Sequence, residues 1–309
     1  MAKIEETQLM PALNENSDKN SNDVLQDVIN QDLIKQEVIK QEQNINSKVV
    51  VVASYIRPQL IKFAQDLSVI ASVEVVHRSY RGSWRPDDND RLILVGNDSV
   101  NWFRGTQTAI AIWADREVID ASDYLASAIY LEPPLFRQYQ LTQIIFGEIR
   151  VSALYSDVSA KRYANELAKL KVFGVTLINY DDSENINYAL NEAFKQGDVL
   201  LGIDDSMVYD NQNIKNILIS AYRRSVPLVG PSYSFLKAGA IATTYSTVED
   251  IHDRLSELLR LKFLPPANYN PYYHIGINEQ VARSLNINIP NDKKALQQML
   301  QRLQAMPND

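Results

Sequence analysis

Chemically capable side chains recur in this sequence directly after short apolar segments. The first such segment, 49–53, runs into Ser54 and Tyr55, and later segments run into groups of Asp, Asn, Ser and Trp. Open parallel sheets bind their ligands outside the carboxyl ends of the strands, where these groups would stand. The candidate ligand-binding residues are Ser54, Tyr55, Asn97 and Trp113 in the first half of the chain, and Tyr155, Ser156, Asp204, Asp205, Ser206, Ser232 and Tyr233 in the second half.

Helix capping is the simpler explanation for each polar group taken singly. Asp, Asn and Ser accept hydrogen bonds from the free amides of a following first helical turn. Capping does not explain the interleaved aromatics, which offer flat apolar faces beside polar orienting groups. These aromatics are Tyr55, Trp113, Tyr155 and Tyr233. The whole set therefore predicts a small-molecule cleft.

The loop after segment 199–203 carries the most concentrated charge of these groups. It contains Asp204, Asp205 and Ser206 in a row. A carboxylate at the mouth of a cleft pairs well with a positively charged group of a ligand. We expect Asp204 to hold that group, with Asp205 as the second choice, while Ser156 and Ser232 orient the polar remainder.

Several kinds of chemistry have no support in the sequence. The ten glycines never form the spacing of a dinucleotide fingerprint or a phosphate-binding loop, and no nucleophile elbow is present. The three histidines, His77, His252 and His274, lie far apart, and cysteine is absent. We therefore expect no cofactor, no metal site and no enzymatic activity.

The amino-acid composition argues against two kinds of partner, nucleic acids and membranes. The 309 residues include 31 basic and 38 acidic side chains, for a net charge of -7. No basic cluster is longer than a pair such as Arg223 and Arg224, which argues against a nucleic-acid partner because phosphate binding needs a clustered basic face. No run of 18 apolar residues occurs, so direct membrane insertion is not expected either.

Beyond residue 47 the sequence alternates short β-branched segments with helical patterns, which is typical of an α/β fold with parallel sheets. The strands are predicted at 49–53, 73–76, 92–95, 109–113, 128–131, 150–155, 175–179, 199–203, 226–229 and 240–243. The helices are predicted at 58–70, 134–146, 159–171, 185–195, 211–223, 248–261 and 293–305, with a short helix from Asn278.

Two successive sets of this pattern meet at Glu132-Pro133-Pro134, where the prolines forbid a regular strand ladder and suit a crossover between lobes. The prolines and tyrosines of 265–273 predict another non-helical crossing. The first 47 residues are polar and lack an aromatic anchor, which predicts a flexible or partly helical leader, with a helix considered for 22–43. The first 20 residues also lack the pattern of an export signal.

Three stretches from Asp198 onward resemble the substrate-binding proteins of ABC transporters. They are DVLLGIDDSMVYDNQNI, VPLVGPSYSFLKAGAIATTYST and YYHIGINEQVARSLNINIP, and the earlier stretch SAIYLEPPLFRQYQLTQIIFGEIRVSALYSD resembles that family's lobe crossover. The resemblance implies the type 1 periplasmic-binding fold, with two Rossmann-like lobes. Lobe 1 would be 48–131 plus about 245–264, shorter than is usual in the family. Lobe 2 would be 132–244 plus about 270–290, followed by a C-terminal helix and tail at 291–309.

The resemblance also implies a function. The family captures a small solute, often an amino acid, between its lobes and delivers it to an inner-membrane ABC permease, and its acidic tip residue matches Asp204. It implies a monomer in the periplasm, with the cytoplasm as the alternative because no export signal is visible. The alternative function is a sensory or protein-interaction module that kept the fold without transport.

Overall fold

The computed structural model describes residues 48–181, 185–210, 212–289 and 292–305. The leader, with the helix considered for 22–43, lies outside the described residues. The strands are β1 (Val49–Ala53), β2 (Val75–Ser79), β3 (Arg91–Val95), β4 (Thr108–Ile112), β5 (Ser127–Tyr130), β6 (Val151–Tyr155), β7 (Thr176–Asn179), β8 (Val199–Leu201), β9 (Leu228–Val229), β10 (Ala242–Tyr245), β11 (Asn268–Tyr269) and β12 (His274–Ile277). The helices are α1 (Pro58–Ala71), α2 (Gly96–Trp102), α3 (Arg116–Asp120), α4 (Leu135–Phe146), α5 (Asp157–Arg162), α6 (Ala164–Val172), α7 (Ile186–Gln196), α8 (Asn213–Arg223), α9 (Tyr233–Ala238), α10 (Val248–Arg260), α11 (Glu279–Ser284) and α12 (Lys293–Ala305).

Lobe 1 is built on a sheet with the order β11-β5-β4-β3-β1-β2. Its strands all run parallel. Every residue of β1 is buried, as expected for a central strand with helices on both faces. Apolar residues of α1 and α10 pack against one face of the sheet, and residues such as Val100, Phe103 and Ile119 pack against the other.

Lobe 2 has a sheet with the order β12-β10-β9-β8-β6-β7. The strands β6 to β10 run parallel, but β12 runs antiparallel to β10, which departs from the purely parallel sheets that the sequence predicts. Its first residue, His274, pairs with Tyr245, the last residue of β10. The chain enters β12 from lobe 1 at the carboxyl edge of the sheet, so the strand can only run back along β10.

Within the described residues, the chain crosses between the lobes at 131–134, 246–247 and 270–273, because α10 and β11 lie in lobe 1 and β12 in lobe 2. Part of the non-helical crossing predicted at 265–273 is therefore the short strand β11, which extends the sheet of lobe 1 beside β5. Although the sequence suggests a shortened lobe 1, each lobe has six strands within the part of the chain that the structure describes.

Several local elements differ from the sequence prediction. The helix predicted at 159–171 is two helices, because Tyr163 leaves helical geometry and buries its ring almost completely. The polar groups after β3, β4 and β9 lead into the short helices α2, α3 and α9, which the sequence does not reveal as helices. The second strand begins two residues later than predicted, at Val75.

The C-terminal helix α12 belongs to the core of lobe 2. Its residues Leu296 and Leu300 are buried in the same apolar cluster as Leu141 and Ile145 of α4. Among the described residues, no helix has the length and apolar character needed to cross a membrane.

Candidate functional site

Both lobes contain a topological switch point at the carboxyl edge of the sheet. In lobe 1, β1 lies between β2 and β3, and in lobe 2, β6 lies between β7 and β8. The connections from neighbouring strands leave toward opposite faces at such a point, which opens a crevice. The residues after β1 and β3, and those after β6 and β8, are therefore placed where ligands of this architecture bind.

The switch point of lobe 1 holds a cavity of about 510 Å³. Three of the predicted residues, Ser54, Tyr55 and Trp113, lie in its wall. Phe63 of α1 completes an aromatic corner, with its ring centroid 4.9 Å from that of Trp113. The cavity combines aromatic faces with a few polar groups, as small-molecule sites do.

Trp113 has an unusual backbone. Its φ of 52° is in the left-handed region, which bulky residues rarely adopt and which tends to persist at functional sites. The predicted residue Asn97 supports the same turn, because its amide donates to the Asp115 carboxylate at 2.6 Å and its oxygen accepts from the Asp115 backbone N–H at 2.7 Å. Asn97 is therefore engaged in shaping the loop that presents Trp113.

The switch point of lobe 2 is closed by a hydrogen-bond network around Asp205. This buried carboxylate accepts from the backbone N–H of Ser156 at 2.7 Å and from the Ser159 hydroxyl. It also accepts from the backbone N–H of Met207 at 3.0 Å and of Val208 at 3.4 Å. Both oxygens of Asp205 are thus engaged in fixing its own loop, which favours Asp204 over Asp205 as the predicted ligand anchor.

Ser156 is also used internally. Its hydroxyl caps α5 by accepting from the backbone N–H of Ser159, and the reciprocal bond completes a capping box. The capping explanation, which the sequence left open at each position, holds here.

Asp204 differs from its neighbour because it is exposed and lies near charged groups of both lobes. It is exposed to solvent, yet protein surrounds it on most sides, and this enclosure raises its pKa. Arg162 opposes the rise, while Asp115 of lobe 1 and Asp205 add to it. Asp204 therefore lies within electrostatic range of the other lobe, and a cation beside it would be favoured.

The other predicted ligand-binding residues of lobe 2 do not form one cluster. Ser206 is exposed, and Tyr155 packs half-buried against the core. The Ser232 hydroxyl bonds to that of Ser234 at 2.7 Å. The exposed ring of Tyr233 lies 4.5 Å from that of Tyr245, so these two aromatics border the second crossing.

The structure also brings together charged residues that the sequence analysis did not single out. Arg116, at the start of α3 in lobe 1, lies 3.2 Å from Glu166 of α6 in lobe 2. It lies 3.7 Å from Glu132, which occupies the first crossing. A second cross-lobe pair joins Arg162 to Glu117 at 3.0 Å. The sequence gives only a weak signal for Arg116, which stands three residues after Trp113 with no motif around it.

Glu132 is the most perturbed carboxyl group of the cleft. Burial raises its pKa to about 7, and the charge of Asp204 contributes to the rise, while Arg116 opposes it. A carboxyl group that titrates near neutrality in a cleft marks a candidate functional position.

A second cavity, of about 570 Å³, lies between the lobes beside the pair of Arg162 and Glu117. Its walls come from both lobes, namely Glu117, Asp120 and Ala121 of lobe 1 and Asp157, Val158, Lys161 and Arg162 of lobe 2. Among the residues that the structure describes, no group of three or more potential metal ligands occurs.

Comparison with known proteins identifies the fold. No protein-family model matches the chain, and no curated protein matches it. The ligand-free, open structure of a substrate binding protein with adhesive properties from Clostridium difficile is similar, with a TM-score of 0.61, 12% identity, and coverage of 80% of this chain and 97% of that one. A conserved domain protein from Vibrio cholerae has a TM-score of 0.50 and 17% identity, with coverage of 81% and 97%. At these identities the likeness shows the fold, which is the two-lobed periplasmic-binding fold expected from the sequence.

Proposed function

We propose that this protein captures a small molecule in the cleft between its lobes, without catalysis, and delivers it to an ABC-type uptake system from the periplasm. The observation that supports this most directly is the aromatic cavity at the switch point of lobe 1. The similar protein from Clostridium difficile is described as a substrate binding protein, which agrees with the proposal.

The two sides of the cleft suggest the chemistry of the ligand. Tyr55, Phe63 and Trp113 would hold a flat or apolar body, and Ser54 supplies a hydroxyl at the same cavity. Asp115, two residues after Trp113, is close enough to Asp204 to influence its pKa. Asp204 would thus hold a positively charged end, so a small molecule with an ammonium group, such as an amino acid, fits best.

A thermal-shift screen with amino acids, nucleosides and small sugars tests the proposal. A ligand at 100 times its dissociation constant stabilises the folded state by about 2.7 kcal/mol, which is readily measured as a higher Tm. No shift with any compound would favour the alternative, a sensory or protein-interaction module with this fold.

Asp204→Asn then tests the anchor with the confirmed ligand. The variant keeps the shape and removes the charge, so calorimetric affinity is expected to fall by about tenfold or more, which corresponds to about 1.4 kcal/mol. The Tm of the free variant is expected to stay nearly unchanged. Asp88→Asn, at an exposed position of lobe 1, is the matched control and should bind normally. Unchanged affinity in Asp204→Asn would remove Asp204 from the site.

A further inference from the structure

Arg116 is enclosed by groups from both lobes and from a crossing. Its side chain is only 15% exposed, and its Nη1 lies 3.2 Å from Glu166 Oε1 and 3.7 Å from Glu132 Oε1. Its Nε lies 3.3 Å from the more exposed carboxylate of Asp120, one turn along α3. The guanidinium also donates to the hydroxyl of Tyr269, which in turn donates to Glu166.

Three tyrosine rings complete the enclosure. The guanidinium carbon of Arg116 lies 4.5 Å from the ring centroid of Tyr130, 5.0 Å from that of Tyr163 and 5.4 Å from that of Tyr269. Each distance is within the range of a cation–π interaction. We call Tyr130, Glu132, Tyr163, Glu166 and Tyr269 the cation cage.

Several cage residues have partners other than Arg116. Glu166 accepts from the backbone N–H of Leu135 at 2.8 Å, and Tyr130 donates to Asp120 at 2.7 Å. The Tyr163 ring is almost fully buried in the core of lobe 2. Removing the Arg116 side chain would therefore leave the part of the cage in each lobe intact, and a free guanidinium ion could join the two parts again.

The cage is built from residues of both lobes. Arg116, Tyr130 and Tyr269 belong to lobe 1, whereas Tyr163 and Glu166 belong to lobe 2. Burial alone would lower the pKa of Arg116, but Tyr269, Glu166 and Glu132 raise it overall. The charge is thus retained, and it links the lobes at this end of the cleft.

We propose that the cation cage is a binding site for a guanidinium group, with Arg116 as a tethered occupant that holds the lobes together. The preference for guanidinium over ammonium follows from the extended shape of the group, since Nη1 faces Glu166, Glu132 and the Tyr269 hydroxyl while Nε, at the other side of the plane, faces Asp120. The cavity of lobe 1 has no residue in common with the cage, so a solute bound there does not need to displace Arg116. The proposal does not depend on any particular solute.

Chemical rescue tests the cage. Arg116→Ala is expected to lower the Tm by about 5 to 10 °C, because two cage carboxylates lose their shared cation. Methylguanidinium chloride at tens of millimolar should then reverse about half of the decrease in Tm of the variant. The Tm of the wild-type protein should stay unchanged. Sodium chloride at equal ionic strength and urea, which has the same planar shape without the charge, should not restore it. Small-angle scattering should show an expanded variant that contracts with methylguanidinium.

Arg150→Ala is the matched control. Arg150 forms an exposed pair with Asp198 at 2.6 Å, so its loss should change the Tm little and should create no response to methylguanidinium. If Arg116→Ala is unfolded at room temperature, the folded fraction by circular dichroism should rise with methylguanidinium and not with sodium chloride. A variant that responds to methylguanidinium no more than Arg150→Ala does, in either assay, would overturn the proposal. All these measurements are made without a cleft ligand, so they can fail while the proposed function stands.

Discussion

The switch points of the two lobes share one strand order but use their polar residues differently. In lobe 1, Ser54, Tyr55 and Trp113 surround a cavity of about 510 Å³. In lobe 2, Asp205 accepts from Ser156, Ser159 and the amides of its own loop, so the corresponding groups satisfy one another. The same topology therefore provides an open aromatic recess in one lobe and a rigid loop in the other.

This difference suggests a division of roles. The network of Asp205 fixes the loop that carries Asp204, so the neighbouring carboxylate is held in a defined position. Buried charge that is fully hydrogen-bonded is costly to disturb, whereas a cavity wall tolerates change more easily. We therefore expect changes in lobe 2 to affect stability most.

The largest effect is expected from Asp205→Asn. The amide would place an N–H group among donors that need an acceptor, so the free energy of unfolding should fall by about 3 kcal/mol. Urea denaturation followed by circular dichroism measures this loss. Asp204→Asn, one residue away on the exposed side, should change it by less than about 1 kcal/mol. Equal losses at the two positions would show that the carboxylates do not differ in role.

A smaller effect on stability is expected from a change of pH, through Glu132 in the first crossing between the lobes. Burial raises the pKa of this carboxyl from 4.5 to about 7. Between these values the folded state binds more protons than the unfolded state, so stability should fall as pH rises from 4.5 to 7, by about 2 to 3 kcal/mol from this group. Glu132→Gln should flatten that part of a Tm-versus-pH curve. A variant curve parallel to the wild-type curve would contradict the assignment.

The smallest effect is expected in lobe 1. His252 is buried against Phe63, with ring centroids 4.3 Å apart, and its Nε2 bonds to the Phe63 carbonyl at 3.1 Å. Burial lowers the pKa of His252 below its usual 6.5, although that hydrogen bond and nearby acids oppose the change. The unfolded state therefore binds the proton first, and lobe 1 should lose stability as pH falls through 6.5.

Hydrogen exchange can locate this loss. Between pH 7 and 5, after correction for intrinsic rates, amides of α1 and α10 should lose protection while those of α4 in lobe 2 keep theirs. His252→Gln preserves a donor for the carbonyl and should remove the pH dependence, and His77→Gln, at a half-buried position in β2, should not. Equal loss of protection in both lobes would show that His252 does not distinguish them.

Much of the secondary structure follows from local sequence. Valine-rich segments such as 49–52 have few alternatives to a buried strand, and the two prolines at 133–134 exclude a continuous ladder. The short helices α2, α3 and α9 were not predicted, because five to seven residues carry too little periodicity to distinguish a helical turn from a polar loop.

The site was only partly accessible to the same reasoning. Sequence alone placed Ser54, Tyr55 and Trp113 at the end of a strand, and the structure places them in one cavity. The sequence could not show which of Asp204 and Asp205 is free for a ligand. The donors to the Asp205 carboxylate include the backbone N–H of Ser156, which lies 49 residues earlier in the chain.

The sequence by itself determined the alternation of elements, the position of the polar groups at strand ends and the two-lobed architecture. Only the tertiary structure decided which of those groups satisfy one another and which reach the cleft. It also brought Arg116 to Glu166, 50 residues away, and to Tyr269, 153 residues away. The physical reason is that secondary structure depends on neighbours within a few residues, whereas the satisfaction of a buried charge depends on partners that only the folded chain brings together.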